Sequence, residues 1–100
     1  MKKIIGLALV LLGLYANVAL GADIEAGKAK AVTCTACHGA NGISPTDLYP
    51  NLAGQKAGYL VKQMKAFKDG TRKEPTMNAM VAVLSDQDME DLAAFYASMK

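Results

Sequence analysis

The pattern of hydrophobic and polar positions changes character along the chain. The first stretch has no rhythm: after Met1-Lys2-Lys3, residues 4–15 run without a charge and the segment ends on the small residues Ala19-Leu20-Gly21-Ala22. A basic start, a short apolar middle and a small-residue exit describe a secretory signal peptide. Residues 1–21 are therefore expected to be cleaved, with cleavage after Ala22 as the next choice, leaving residues 22–100 as a single domain. From residue 24 the rhythm becomes helical. Ile24 to Val32 is a short Ala/Lys-rich segment interrupted by Gly27. Leu60, Met64 and Phe67 fall at i, i+4 and i+7 in a segment that opens at Lys56 and stops at Gly70. Ser85 with Asp88 three residues on is a helix start, and Met89, Leu92, Ala93 and Tyr96 then form one apolar stripe to the C-terminus. Residues 39–54, rich in Gly, Pro, Ser, Thr and Asn, read as loop, and so do residues 71–83, because Pro75 argues against regular helix before Thr76. No strand-like alternation occurs outside the leader, so the fold class is all-α.

Charge changes the picture only once the leader is removed. The full chain is +2, but Lys2 and Lys3 lie in the leader. Nine basic residues (Lys28, Lys30, Lys56, Lys62, Lys65, Lys68, Arg72, Lys73, Lys100) then face nine acidic ones, and the domain is formally neutral. Nothing in that balance calls for nucleic acid. The distribution is uneven: six of the basic residues lie between Lys56 and Lys73, while Asp86, Asp88, Glu90 and Asp91 crowd the last helix. Lys62, Lys65 and Lys68 read as an ordinary solvated helix face. A domain of this size has a marginal side-chain core and usually needs a staple. A disulfide between Cys34 and Cys37 would close a trivially small loop and constrain the unfolded chain little.

Those two cysteines belong to Cys34-Thr35-Ala36-Cys37-His38, the C-x-x-C-H signal for covalent attachment of a c-type haem. On one helical turn the sulfurs at i and i+3 can meet the two vinyl groups on the haem edge, and His38 can then set its imidazole under the iron. A thioredoxin-like pair would need a preceding strand, which is missing. A zinc site would need four ligands, and the chain has three Cys and His residues in all. His38 is the sole histidine, so bis-histidine ligation within the chain is excluded, leaving methionine, lysine or an open sixth position. Among the methionines, Met64, Met89 and Met99 sit in helical segments, where packing is the commoner role. Met77 and Met80 lie in the segment containing Pro75, and spacing alone does not separate them.

From Gly27 onward the chain resembles the class I cytochromes c, in particular small bacterial monohaem proteins of the c-553 kind and single domains of cytochrome c-4. The resemblance rests on Cys-Thr-Ala-Cys-His-Gly (34–39), Asn-Gly (41–42), Tyr-Pro-Asn-Leu-Ala-Gly-Gln (49–55), Tyr59-Leu60 with Gln63, Leu-Ser-Asp-Gln-Asp (84–88) and Leu-Ala-Ala-Phe-Tyr (92–96). It implies a class I cytochrome c fold, three to four helices around one covalently bound haem c. It also implies an axial methionine at Met77, with Met80 as runner-up. The Pro50 carbonyl would accept the His38 Nδ1–H, and Gly27 would mark the crossing of the first and last helices, with Phe95 or Tyr96 against it. Arg72, Gln55 and Tyr59 would be propionate contacts. The implied function is one-electron transfer in the periplasm between donor and acceptor proteins, with a membrane-bound respiratory complex as a possible transient partner. No small molecule would bind at the iron, and no catalysis is expected. Two alternatives remain: the haem-bearing electron-transfer subunit of a flavocytochrome-like dehydrogenase complex, and a ligand-binding haem protein with a weak sixth ligand.

Overall fold

The computed structural model describes residues 21–100, so the expected leader lies outside the described residues except for Gly21. Among the described residues there is no strand, as the hydrophobic pattern predicts. Helix α1 spans Ile24–Lys30 and tightens into a 3-10 turn over Ala31–Cys34. The short α2 covers Thr35–His38, α3 Ala57–Asp69, α4 Pro75–Ala82 and α5 Asp86–Ala97. Helix α1 is shorter than the expected Ile24–Val32, its last residues passing into the 3-10 turn. None of these helices is long and apolar enough to cross a membrane.

Most helix ends have an identifiable cause. Asp23 caps α1 by accepting from the Ala26 amide at 3.1 Å. Gly70, at φ 82°, stops α3 in the left-handed conformation that glycine adopts without cost. At α5 the expected capping box forms: the Asp88 amide donates to Ser85 Oγ at 3.0 Å and the Ser85 amide to Asp88 Oδ2 at 2.9 Å.

The segment 71–83 departs from expectation. It is helical from Pro75 to Ala82, not a loop. Pro75 sits at the start of α4, where its missing N–H is one that the first turn would leave unpaired in any case. Glu74 supplies the cap, its carboxylate accepting from the Met77 amide at 2.7 Å.

The core forms where α1 and α3 each pack on α5. Its buried members are Ala31, Leu60, Leu92, Ala93 and Tyr96, with Cys34, Leu52, Val61, Met64 and Phe95 against them. The α1/α5 crossing is set by Gly27: a Cβ built there would lie 2.0 Å from the Asp91 carbonyl oxygen and 2.9 Å from Phe95 Cβ. The crossing is locked on one side by Lys30, whose ammonium reaches Asp88 Oδ1 at 2.7 Å and Asp91 Oδ2 at 2.9 Å. Asp91 also accepts from the Asp23 amide and from Gln87, each at 2.9 Å, so its carboxylate is buried with its oxygens bonded. Helix α4 packs on α3. Asn78 braces that contact, donating to the Phe67 carbonyl at 2.7 Å and the Arg72 carbonyl at 2.9 Å.

Candidate haem-binding site

The short α2 turn puts Cys34 and Cys37 three residues apart on one side of the chain, both as free, half-buried thiols. His38 follows at the end of the turn and is buried, at 7% exposure. Its Nδ1 lies 2.8 Å from the Pro50 carbonyl oxygen, twelve residues downstream. A carbonyl can only accept, so Nδ1 carries the proton and Nε2 keeps its lone pair for a metal. The Tyr49 ring stands edge-on to the imidazole, with centroids 6.3 Å apart.

The loop 39–54 is organised to hold that carbonyl. Gly39 and Gly42 turn the chain at φ 85° and 74°. The Gly42 carbonyl accepts from the amides of Leu52 and Ala53 at 2.8 and 3.0 Å. Asn51 Oδ1 accepts from the Ser44 amide at 2.7 Å. The Gly54 amide donates to the Tyr96 carbonyl at 3.0 Å, tying the loop to α5. A flexible composition thus yields a fixed strap beside His38.

Met77 and Met80 stand on α4, three residues apart, so they share one side of a helix. Met77 is half-buried, Met80 exposed at 38%. Helix α4 and the α2 turn share no substantial packing, so both methionines are carried on an element distinct from that of His38. Asn78, next to Met77, fixes the rotation of α4 on α3; no sequence motif singled it out, and its one signal is a lone amide in an otherwise apolar run.

Arg72 is held on the flank of α3. Its Nη1 donates to Gln63 Oε1 at 2.8 Å and its guanidinium lies 4.4 Å from the centroid of the Phe67 ring. Gln55 is half-buried, with Oε1 accepting from the Lys56 amide at 2.9 Å, and Tyr59 is exposed. These three residues do not contact the Cys34–His38 turn through any hydrogen bond. Lys62 and Lys65 are exposed as expected, while Lys68 donates to the Leu84 carbonyl beyond the end of α4.

The electrostatics concentrate at the α1/α5 crossing. The Lys30 ammonium, then the Gln87 amide, hold the Asp91 carboxyl below its ordinary value, and Lys30 does the same for Asp88. Asp88 and then Asp91 raise Lys30 in return. Burial pushes the Tyr96 phenol well above its usual range, with a smaller contribution from the neighbouring Cys34 thiol. Tyr96 Oη is the one buried side-chain polar atom among the described residues without a hydrogen-bond partner.

The donor set fits a haem. It offers two unpaired sulfurs at i and i+3, an imidazole with Nε2 free, and a thioether on a separate helix. Apolar side chains that the polypeptide leaves in contact with solvent include Val32, Ile43, Leu48, Tyr49, Tyr59 and Met80, of which Tyr49 stands beside His38. A bare metal ion does not fit as well, because no group of three His, Cys, Asp or Glu converges among the described residues.

Comparison with known proteins bears on the same residues. Residues 24–100 match the family model described as Cytochrome c. The chain is 47% identical over 100 residues to cytochrome c4 of Pseudomonas aeruginosa, covering all of this chain and 50% of that protein. It is 46% identical over 81 residues to cytochrome c-554(548) of Halomonas halodenitrificans, covering 78% of this chain and 98% of the relative. The crystal structure of reduced recombinant cytochrome c4 from Pseudomonas stutzeri superposes with a TM-score of 0.76 at 44% identity, over 80% of this chain and 47% of that one. The chain thus spans about half the length of the cytochrome c4 relatives it matches. With the matched region running from the first helix to the C-terminus, this chain belongs to the cytochrome c family and has its all-α class I fold.

Proposed function

We propose that this chain is an exported one-electron carrier with a single covalent haem. Cys34 and Cys37 would hold the haem through thioethers, and His38 and Met77 would be its iron ligands. Bound haem supplies the Fe(III)/Fe(II) couple. The protein's contribution is to hold it and to set its preference for the electron. Pro50 keeps the His38 proton on Nδ1 and so presents a basic Nε2. The Met77 thioether is a soft ligand that favours the ferrous state and raises the potential. With His38 and Met77 both binding the iron, no site for a substrate would be left there, so the chain would pass electrons between donor and acceptor proteins and not act as an enzyme. Residues 1–21 direct export to the periplasm, where donor, acceptor or a membrane-bound respiratory complex would be met.

The observation that carries this reading is the buried His38 imidazole, oriented by Pro50 directly after two free thiols at i and i+3. The expected mass of the purified protein is that of the leaderless polypeptide plus one haem, retained through acid-acetone extraction. Met77→Ala is expected to abolish the weak sulfur-to-iron band of the ferric spectrum, lower the potential and admit carbon monoxide, while Met80→Ala keeps all three properties. A bare-chain mass overturns the proposal, and the reverse pattern in the two mutants moves the ligand to Met80.

A further inference from the structure

Helix α4 carries Met77, yet little of the helix is buried. Val81 is its one buried residue, at 2% exposure, and α3 is the helix it packs on. Met77 lies one turn before Val81, on the same side of the helix, which is the side turned inward. A single apolar anchor leaves a short helix free to rock about that point.

Asn78, the residue after Met77, supplies a second anchor through its side-chain amide. Nδ2 donates to the Phe67 carbonyl at 2.7 Å and to the Arg72 carbonyl at 2.9 Å, and Oδ1 accepts from the Glu74 amide at 2.9 Å. Two carbonyls can only accept and a backbone amide can only donate, so these partners fix the orientation of the side chain. An aspartate would have no donor and a serine only one, so neither could make this set of bonds. Phe67 lies in the last turn of α3, whose carbonyls have no partner within the helix. One side chain therefore closes the end of α3, holds the turn at Arg72 and grips Glu74, the residue that caps α4. Glu74 in turn accepts the Met77 amide on its carboxylate at 2.7 Å and the Asn78 amide on its carbonyl at 2.8 Å. The backbone of Met77 is thus tied to the end of α3 through hydrogen bonds, with Asn78 at their centre.

We infer that Asn78 is a positioning residue for Met77, its side-chain amide pinning the first turn of α4 to α3 and so holding the thioether where it can bind the iron. This rests on the ligation proposed above. Asn78 touches neither haem nor iron; it acts by keeping Met77 in place. The thioether prefers Fe(II), so the ferric protein is the first to lose it when α4 is loosened. Hydrogen bonds of ordinary net strength, once removed, raise the population with α4 displaced by roughly tenfold.

Asn78→Ala in the haem-loaded protein tests this, with Gly27→Ala as the control that loses stability at the distant α1/α5 crossing. Asn78→Ala is expected to weaken the sulfur-to-iron band of the ferric spectrum, to lower the reduction potential toward that of Met77→Ala, and to bind carbon monoxide roughly tenfold faster. Gly27→Ala is expected to melt at a lower temperature with all three properties unchanged. An Asn78→Ala protein that only melts lower, with wild-type band, potential and carbon monoxide rate, overturns the inference. So does a Gly27→Ala protein that changes the three as far as Asn78→Ala does. A wild-type spectrum in Met77→Ala would instead defeat the ligation itself, a separate result. Should Asn78→Ala fold poorly, the coupling is read from the other side, because it is reciprocal. Hydrogen exchange of the Asn78 side-chain amide, followed by nuclear magnetic resonance, is expected to be slow in the wild type and faster in Met77→Ala; equal protection in the two overturns the inference.

Discussion

Replacing Gly27 by alanine tests the architecture at its tightest point. The added methyl would stand 2.0 Å from the Asp91 carbonyl oxygen and 2.6 Å from its carbon, where ordinary contact begins at 3.4 Å. Both atoms are backbone, so no side-chain rotation relieves the overlap; α1 and α5 must separate. Separation also pulls at the Asp91 side chain, which holds the Asp23 amide and Lys30 across the same crossing. Two terms oppose each other. Alanine gains about 1 kcal/mol of helix propensity over glycine. Overpacking of a close contact costs about 1–3 kcal/mol, and more where backbone has to move. With a backbone clash of this depth, the cost takes the upper end or beyond, and the net loss is on the order of 2 kcal/mol. For a domain of this size each kcal/mol moves the melting temperature by roughly 4–8 °C, so a fall on the order of 10 °C is expected. Gly58 is the control. A Cβ there meets nothing within 4 Å, so Gly58→Ala should leave stability unchanged or raise it by up to about 1 kcal/mol. Thermal and denaturant melts of the haem-loaded protein, followed by far-ultraviolet circular dichroism, give both numbers. A Gly27→Ala protein as stable as the wild type would refute the helix crossing described here.

Two further perturbations address the charge network and the cofactor. Asp88 and Asp91 have carboxyls held below their ordinary value, chiefly by Lys30. Their contribution to stability is therefore fully present above the unfolded carboxylate value, near pH 4, and is lost as pH falls through the lower folded value. Asp91→Asn should flatten that acid limb in denaturant midpoints measured against pH, and an unchanged acid slope would place the linkage elsewhere. Removing both attachment points, Cys34→Ala with Cys37→Ala, should give a chain with no cooperative thermal transition, since a small domain depends on the apolar area that the cofactor buries; a melt equal to that of the wild type would show that the polypeptide is sufficient.

The elements legible in the sequence were those that state both a stripe and an end. Helix α3 has Leu60 and Phe67 on its buried side and Gly70 to stop it; α5 has Ser85 and Asp88 to open it and Met89, Leu92, Ala93 and Tyr96 to bury. The Cys34–His38 turn was legible because its spacing is itself the chemistry. Helix α4 was not, for a definite reason. Proline inside a helix breaks it, whereas proline in the first turn is well tolerated, and deciding between the two needs the cap before it. Here the cap is Glu74, a residue without a strong capping preference, so the start was unmarked. Asp91 was hidden in another way. Among Asp86, Asp88 and Glu90 it looks like one more surface acid, and its burial follows from Lys30, sixty-one residues earlier, which only the α1/α5 crossing brings to it.

The same crossing explains why the polypeptide divides into a built part and a dependent part. Helices α1, α3 and α5 bury Ala31, Leu60, Leu92, Ala93 and Tyr96 in one another. That cluster is made by chain–chain contact, and Gly27 and the Lys30–Asp91 pair give it a single geometry. Ile43, Leu48, Tyr49, Tyr59 and Met80 remain exposed although they are apolar; they lie on the loop 39–54 that follows the attachment turn, at the start of α3 and on α4. Scattered exposed apolar residues need no explanation, but Ile43, Leu48 and Tyr49 share the loop that carries the Pro50 carbonyl, and Met80 shares α4 with Met77. A haem anchored at Cys34 and Cys37 would give them a common apolar surface, so its attachment would close the second half of the core as well as install the redox centre. This is why loss of the two cysteines is expected to cost the fold, while loss of Met77, the proposed iron ligand, is expected to cost the potential.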